Sequence, residues 1–83
     1  MTTPAPIVVP DLDAPGATAM IGEWLVRDGE AVVEGDRLVE LLFGEILVEL
    51  PAPATGTLQR SRRGERRVQP GEVLGSIDPE ADA

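Results

Sequence analysis

The 83-residue sequence lacks the side chains on which most protein chemistry depends, because it contains no cysteine, no histidine and no lysine. Without cysteine there is neither a thiol nucleophile nor a disulfide, and without histidine the commonest general base and metal ligand are missing. The charged residues that remain are 15 Asp and Glu and 7 Arg, which give a net charge of −8. This acidic balance disfavours binding to nucleic acids and to anionic membranes.

None of the carboxylates has the setting of a catalytic group or a metal ligand. Glu45 follows Gly44 in a sequence that predicts an exposed turn, and no acid or base partner accompanies it, so a role as general base is not expected. Four other acidic residues lack the spacing of a calcium-binding loop: Glu30, Asp36, Glu40 and Glu49. We therefore predict no catalytic residue and no metal site.

A cluster of arginines surrounds Gly64. Its members are Arg60, Arg62, Arg63, Arg66 and Arg67. The cluster could bind an acidic partner or an anion. Because a run of like charges is usually a solvated surface, an exposed turn is the favoured interpretation.

The segment 38–53, LVELLFGEILVELPAP, predicts a β-hairpin with Gly44 and Glu45 at its tip. A two-residue loop pairs three sets of apolar residues: Phe43 with Ile46, Leu41 with Val48, and Val39 with Leu50. All six would lie on one face, as the alternation of strand residues requires of a face that packs on a core. The opposite face is mixed and carries Leu38, Glu40, Leu42, Leu47 and Glu49. Glycine at the first loop position suits a type II′ turn, which needs a positive φ there.

Short apolar runs between glycine- and proline-rich turns predict further strands on both sides of the hairpin. They cover residues 7–9, 18–26, 32–33, 56–58, 68 and 73–77. No helical periodicity of useful length appears, and Trp24 is predicted to pack in the core.

An internal repeat relates the two halves of the chain. Three residues recur 36 positions later: Val32, Gly35 and Leu38 return as Val68, Gly71 and Leu74. The repeat predicts two similar half-domains of about four strands each, neither able to bury its apolar face alone. Packed together, they would form an all-β flattened barrel or sandwich of two four-stranded antiparallel sheets with a pseudo-twofold axis.

Four segments of the chain stand out together: VPDL at 9–12, EWLVRDGEAVVEGDRLVEL at 23–41, VELPAPATGTL at 48–58 and VQPGEVLGSI at 68–77. In register, they resemble the lipoyl/biotinyl carrier domains, and most closely the lipoyl domains of 2-oxo acid dehydrogenase acyltransferases. The resemblance implies a barrel-sandwich hybrid fold. We predict a lipoyl-like domain over residues 6–79, with disordered tails at 1–5 and 80–83.

In carrier domains of this family, the hairpin tip holds a lysine whose amine forms an amide with lipoate or biotin. The lysine lies in an Asp-Lys-Ala triplet, or Met-Lys-Met in biotinyl domains. The segment 38–53 matches the family without a gap, so the triplet falls on Gly44, Glu45 and Ile46. Because a glutamate carboxylate cannot form that amide, we predict that the chain carries neither lipoate nor biotin.

The resemblance then implies a degenerate lipoyl-like domain that is not an enzyme by itself. Its expected role is a protein interaction or assembly module linked to a 2-oxo acid dehydrogenase system. The alternative is the lipoyl carrier domain of a dihydrolipoyl acyltransferase whose acceptor lysine is lost or replaced in this chain. The chain could also be a piece of a larger acyltransferase.

The residues around the tip indicate where a partner would bind. Leu42 and Phe43 occupy positions where lipoyl domains usually have Glu and Thr, and with Glu45 and Leu47 they form the predicted interaction surface. Its partner would be a dehydrogenase component or a second copy of the chain. Under the other interpretation, Phe43 and Ile46 cap the core and the two leucines are ordinary surface residues. With no secretory segment and no apolar run of about 20 residues, we expect a cytoplasmic protein.

Overall fold

The computed structural model describes residues 3–11, 18–61 and 67–79, and these form eight strands and no helix. The strands are β1 (Ala5–Val8), β2 (Ala19–Trp24), β3 (Ala31–Val32), β4 (Arg37–Phe43), β5 (Ile46–Pro51), β6 (Gly56–Arg60), β7 (Arg67–Val68) and β8 (Val73–Asp78). The all-β prediction is confirmed. The described residues accordingly contain no helix long and apolar enough to cross a membrane.

The strands form two four-stranded sheets, with the orders β1-β8-β6-β3 and β5-β4-β2-β7. Every pairing is antiparallel. The two sheets enclose one core of buried side chains that, within the described residues, are all apolar. This is the predicted sandwich of two four-stranded antiparallel sheets, and it leaves β1 and β5 as the longer edge strands.

The internal repeat corresponds to a structural pseudo-symmetry that exchanges the sheets. Gly35 and Gly71 both adopt a positive φ, 95° and 91°, in equivalent turns. The Gly35 N–H donates to the Ala52 carbonyl at 3.0 Å, and the Gly71 N–H donates to the Val9 carbonyl at 2.9 Å. In each half of the chain, this hydrogen bond therefore joins the glycine turn to the residue that directly follows an edge strand, β5 or β1.

The turns are also closed by equivalent carboxylates. The Asp36 side chain accepts a hydrogen bond from the Val33 N–H at 2.9 Å, and the Glu72 side chain accepts one from the Gln69 N–H at 2.7 Å. Val33 and Gln69 lie 36 positions apart in the sequence, and so do Asp36 and Glu72. The pseudo-twofold axis is thus expressed in hydrogen bonds as well as in strand order.

Several predicted boundaries shift by one or two residues. Strand β1 begins at Ala5, the last residue of the predicted tail, and β2 is shorter than the predicted 18–26. Arg60 and Arg67 lie in β6 and β7 rather than in an exposed turn, because they pair with neighbouring strands. Arg62, Arg63 and Arg66, like the tail residues 1–2 and 80–83, lie outside the described residues.

Trp24 packs at the margin of the core rather than within it. It lies opposite Val39 on the inward face of β2, is half-buried, and contacts the core cluster. The guanidinium carbon of Arg60 lies 4.6 Å from the centroid of its ring, a cation–π arrangement. Trp24 therefore packs against the core as predicted, but one face of its ring is covered by Arg60 rather than by apolar residues.

Candidate functional site at the hairpin tip

Strands β4 and β5 form the predicted hairpin. The three predicted apolar pairs are confirmed: Phe43 with Ile46, Leu41 with Val48, and Val39 with Leu50. Gly44 has a φ of 63°, the left-handed value that the first loop position of a two-residue hairpin requires. Pairing is unbroken from Val39 to the tip, so the register fixes Gly44 and Glu45 as the turn residues.

The inward face of the hairpin differs from the prediction at both of its ends. Leu38, predicted on the outward face, is fully buried because it is the extra residue of a β-bulge between Arg37 and Val39. Leu74 is the extra residue of the equivalent bulge opposite β1 and is also fully buried. At the tip, Ile46 is 60% exposed although it lies on the core face, because β5 is an edge strand with a neighbour on one side only.

The predicted interaction surface is exposed except at Phe43. That side chain is only 9% exposed and belongs to the core, because it shares the inward face with Leu41. Glu45 is exposed at the turn. Leu42 and Leu47 lie directly opposite each other on the outward face and are 39% and 52% exposed. Phe43 is therefore removed from the surface, and the other three residues remain on it.

Met20 is an exposed apolar residue beside the predicted interaction surface that the prediction from sequence did not include. It pairs with Leu42 from the neighbouring strand β2 and is 43% exposed. Met20, Leu42 and Leu47 thus form one row of exposed apolar side chains across three strands, which we call the apolar row. Arg67 of β7 pairs with Met20 and ends the row with a positive charge. The alternation of β2 predicts an outward Met20, but only the register between β2 and β4 places it beside Leu42.

A second row on the same outward face consists of carboxylates. Glu23 pairs with Glu40, and Glu40 pairs with Glu49; we call these three residues the acidic row. Arg37 contacts one end of it, with Nη1 lying 3.3 Å from the Glu49 Oε1. Within the described residues, no group of three or more Asp, Glu, His or Cys has the arrangement of a metal site. The acidic row is therefore a feature of surface charge.

Comparison with known proteins identifies the family. Residues 5–77 match the biotin/lipoyl family described as "Biotin-requiring enzyme". Three similar relatives each bear the name dihydrolipoyllysine-residue succinyltransferase component of 2-oxoglutarate dehydrogenase complex. The Bacillus subtilis protein is 36% identical over 74 residues, covering 88% of this chain and 18% of the relative. The Cupriavidus necator protein is 32% identical over 78 residues, covering 93% and 19%.

The third relative, from Escherichia coli K12, is 35% identical over 72 residues, covering 86% of this chain and 18% of its own length. The chain thus spans less than a fifth of each of these relatives. The similarity lies within a domain-sized segment of the larger proteins. Since the family match includes all eight strands of the sandwich, up to the penultimate residue of β8, the chain belongs to the biotin/lipoyl family and has the lipoyl-domain fold.

Proposed function

We propose that this chain is a lipoyl-like domain that carries neither lipoate nor biotin and that acts as a protein interaction and assembly module. The observation that carries the proposal is Glu45 at the tip of the hairpin, where carrier domains of this family hold the attachment lysine. Attachment joins an amine to an activated carboxyl group. A second carboxylate in place of the amine leaves no nucleophile for amide formation.

The register of the hairpin supports the assignment of position 45 to the attachment site. An insertion or deletion near the tip would move a different residue into the turn, but β4 and β5 pair without a break from Val39 to Ile46. A shifted assignment would not supply an amine in any case. The 83-residue sequence contains no lysine, so none of these residues has a side-chain primary amine.

Intact mass spectrometry tests the proposal directly. The chain is incubated with lipoate and a lipoate-attaching enzyme, and separately with biotin and a biotin-attaching enzyme, each with ATP. We expect an unchanged mass in both reactions. Peptide mapping that locates lipoate or biotin on Glu45 or on any other side chain would overturn the proposal.

The Glu45→Lys variant is the matched positive arm of the same experiment. Modification of Lys at this position would demonstrate that the attaching enzyme still recognises the hairpin and that the missing amine alone prevents attachment. A second variant, Glu34→Lys, places a lysine in another exposed turn and should remain unmodified. Equal modification of both variants would indicate chemical acylation rather than recognition of the hairpin tip.

The partners that we propose are components of a 2-oxo acid dehydrogenase complex. The relatives are named as components of one such complex, the 2-oxoglutarate dehydrogenase complex. In this role the domain would catalyse no step and would hold partners together through its surface, in the cytoplasm. The exposed residues at the hairpin tip, Leu42, Glu45 and Leu47, support the placement of that surface.

A further inference from the structure

We propose that the outward face of β2, β4 and β5 binds a protein segment whose apolar side chains are bordered on one side by Lys or Arg. The inference rests on the proposed interaction role and names the chemistry of the partner. The apolar row supplies the centre of the binding surface, and the acidic row supplies one border. Both rows lie on the same face of one sheet.

The dimensions of the face determine how far apart the apolar and basic side chains of the partner must lie. Neighbouring strands lie about 4.8 Å apart, so Met20 and Leu47, at the two ends of the apolar row, are separated by about 10 Å. Glu40 lies two residues from Leu42 along β4, which places the acidic row about 7 Å from the apolar row. A partner therefore needs an apolar stripe about 10 Å long, with cations displaced to one side by about 7 Å.

The charge of the acidic row favours a cationic partner. Like charges directly opposite each other destabilise a sheet, and this row places two such pairs side by side. Within the described part of the chain, Arg37 forms an ion pair with Glu49, and neither Glu23 nor Glu40 forms one. Basic side chains of a partner would relieve this repulsion on binding.

The same charge argues against a second copy as the occupant. The chain has a net charge of −8, so two copies repel each other at long range. Arg67 at the end of the apolar row is a positive charge on this face, as is Arg37 beside Glu49, and Arg67 would meet an acidic or neutral group at one end of the partner segment. We therefore commit to a basic, apolar protein segment and treat self-association as an outcome that the test must exclude.

The probe is a fluorescently labelled amphipathic peptide with a leucine stripe and arginines along one flank. A second peptide keeps the leucines and replaces the arginines with glutamates. Fluorescence anisotropy measures the affinity of each for the chain, and amide chemical shifts locate the binding face. We expect the arginine peptide to bind, the glutamate peptide not to bind, and the shifts to lie on β2, β4 and β5.

Two pairs of variants separate the contributions of the rows. Leu42→Ser with Leu47→Ser should weaken binding by about tenfold or more, since each change removes half-exposed apolar surface from the contact. Val8→Ser with Val73→Ser is the matched control, because these exposed valines pair on the other sheet and should leave binding unchanged. Circular dichroism confirms that each variant is folded.

Glu23→Gln with Glu40→Gln should weaken binding and reduce its dependence on salt concentration, whereas Glu34→Gln in an exposed turn should change neither. Equal binding of both peptides, or wild-type affinity after the leucine changes, would overturn the inference. A dimer of the free chain in analytical ultracentrifugation that dissociates on the leucine changes would assign the face to a second copy instead. All these binding measurements use chain that carries no lipoate. A lipoyl adduct in the mass spectrometry experiment would therefore refute the proposed function, whereas peptide binding to this face is decided by the binding measurements alone.

Discussion

The two bulge leucines allow a sharp test of the fold. Leu38 is fully buried only because a bulge turns it inward, whereas Leu47 in the same hairpin is 52% exposed. The same substitution to alanine should therefore have very different effects at the two positions. Simple alternation along β4 predicts the opposite for Leu38, since it would place that residue on the outward face with Leu42.

The magnitudes follow from burial. Removing a fully buried leucine side chain costs about 3–5 kcal/mol, because the lost transfer free energy is joined by the cost of a cavity. Removing a half-exposed leucine should cost about 1 kcal/mol or less. A chain of 83 residues is expected to have a free energy of unfolding of about 4–12 kcal/mol, so Leu38→Ala removes a large fraction of it.

Urea unfolding followed by the fluorescence of Trp24, the one tryptophan, measures the difference. With a slope of about 1 kcal/mol per molar urea, the midpoint should fall by about 3–5 M for Leu38→Ala and by about 1 M or less for Leu47→Ala. Leu74→Ala, at the equivalent bulge, should resemble Leu38→Ala. If a variant is unfolded in buffer, trimethylamine N-oxide restores a measurable transition. Equal midpoints for Leu38→Ala and Leu47→Ala would refute the assignment of the bulge.

Three further changes test other contacts by thermal or urea unfolding. Gly75→Ala should lower the free energy of unfolding by about 1–3 kcal/mol, because the added Cβ would collide with the Gln59 carbonyl oxygen. Gly22→Ala should cost less, because the nearest atom to its added Cβ lies 3.4 Å away. A larger loss of stability for Gly22→Ala than for Gly75→Ala would contradict the close approach at Gly75. Glu40→Gln should stabilise by about 0.2–1 kcal/mol by removing like-charge pairs. That gain should shrink in high salt, and a loss of stability would count against repulsion in the acidic row. Asp36→Ala should cost about 0.5–1.5 kcal/mol, since its carboxylate accepts a hydrogen bond within its own turn, and an unchanged midpoint would show that this bond contributes nothing.

The hairpin and the glycine turns were predicted from residues that lie close together in the sequence, and both predictions are confirmed. The hairpin pairs follow from a two-residue loop and strict alternation, and the turn glycines follow from the need for a positive φ. The error at Leu38 occurs where alternation is interrupted. A bulge places Leu38 and Val39 on the same side, and the recurrence of Leu38 as Leu74 was a sign of a shared special position that periodicity alone could not interpret.

The sequence alone determined the family resemblance, the hairpin with Glu45 at its tip and the absence of a lysine, because each is written in consecutive or regularly spaced residues. Tertiary structure alone decided which side chains from different strands become neighbours. Met20 joins Leu42, and Glu23 joins Glu40, through the register of β2 against β4. That register depends on a bulge in β2 and on the fit of two sheets around one core, and no local pattern encodes it.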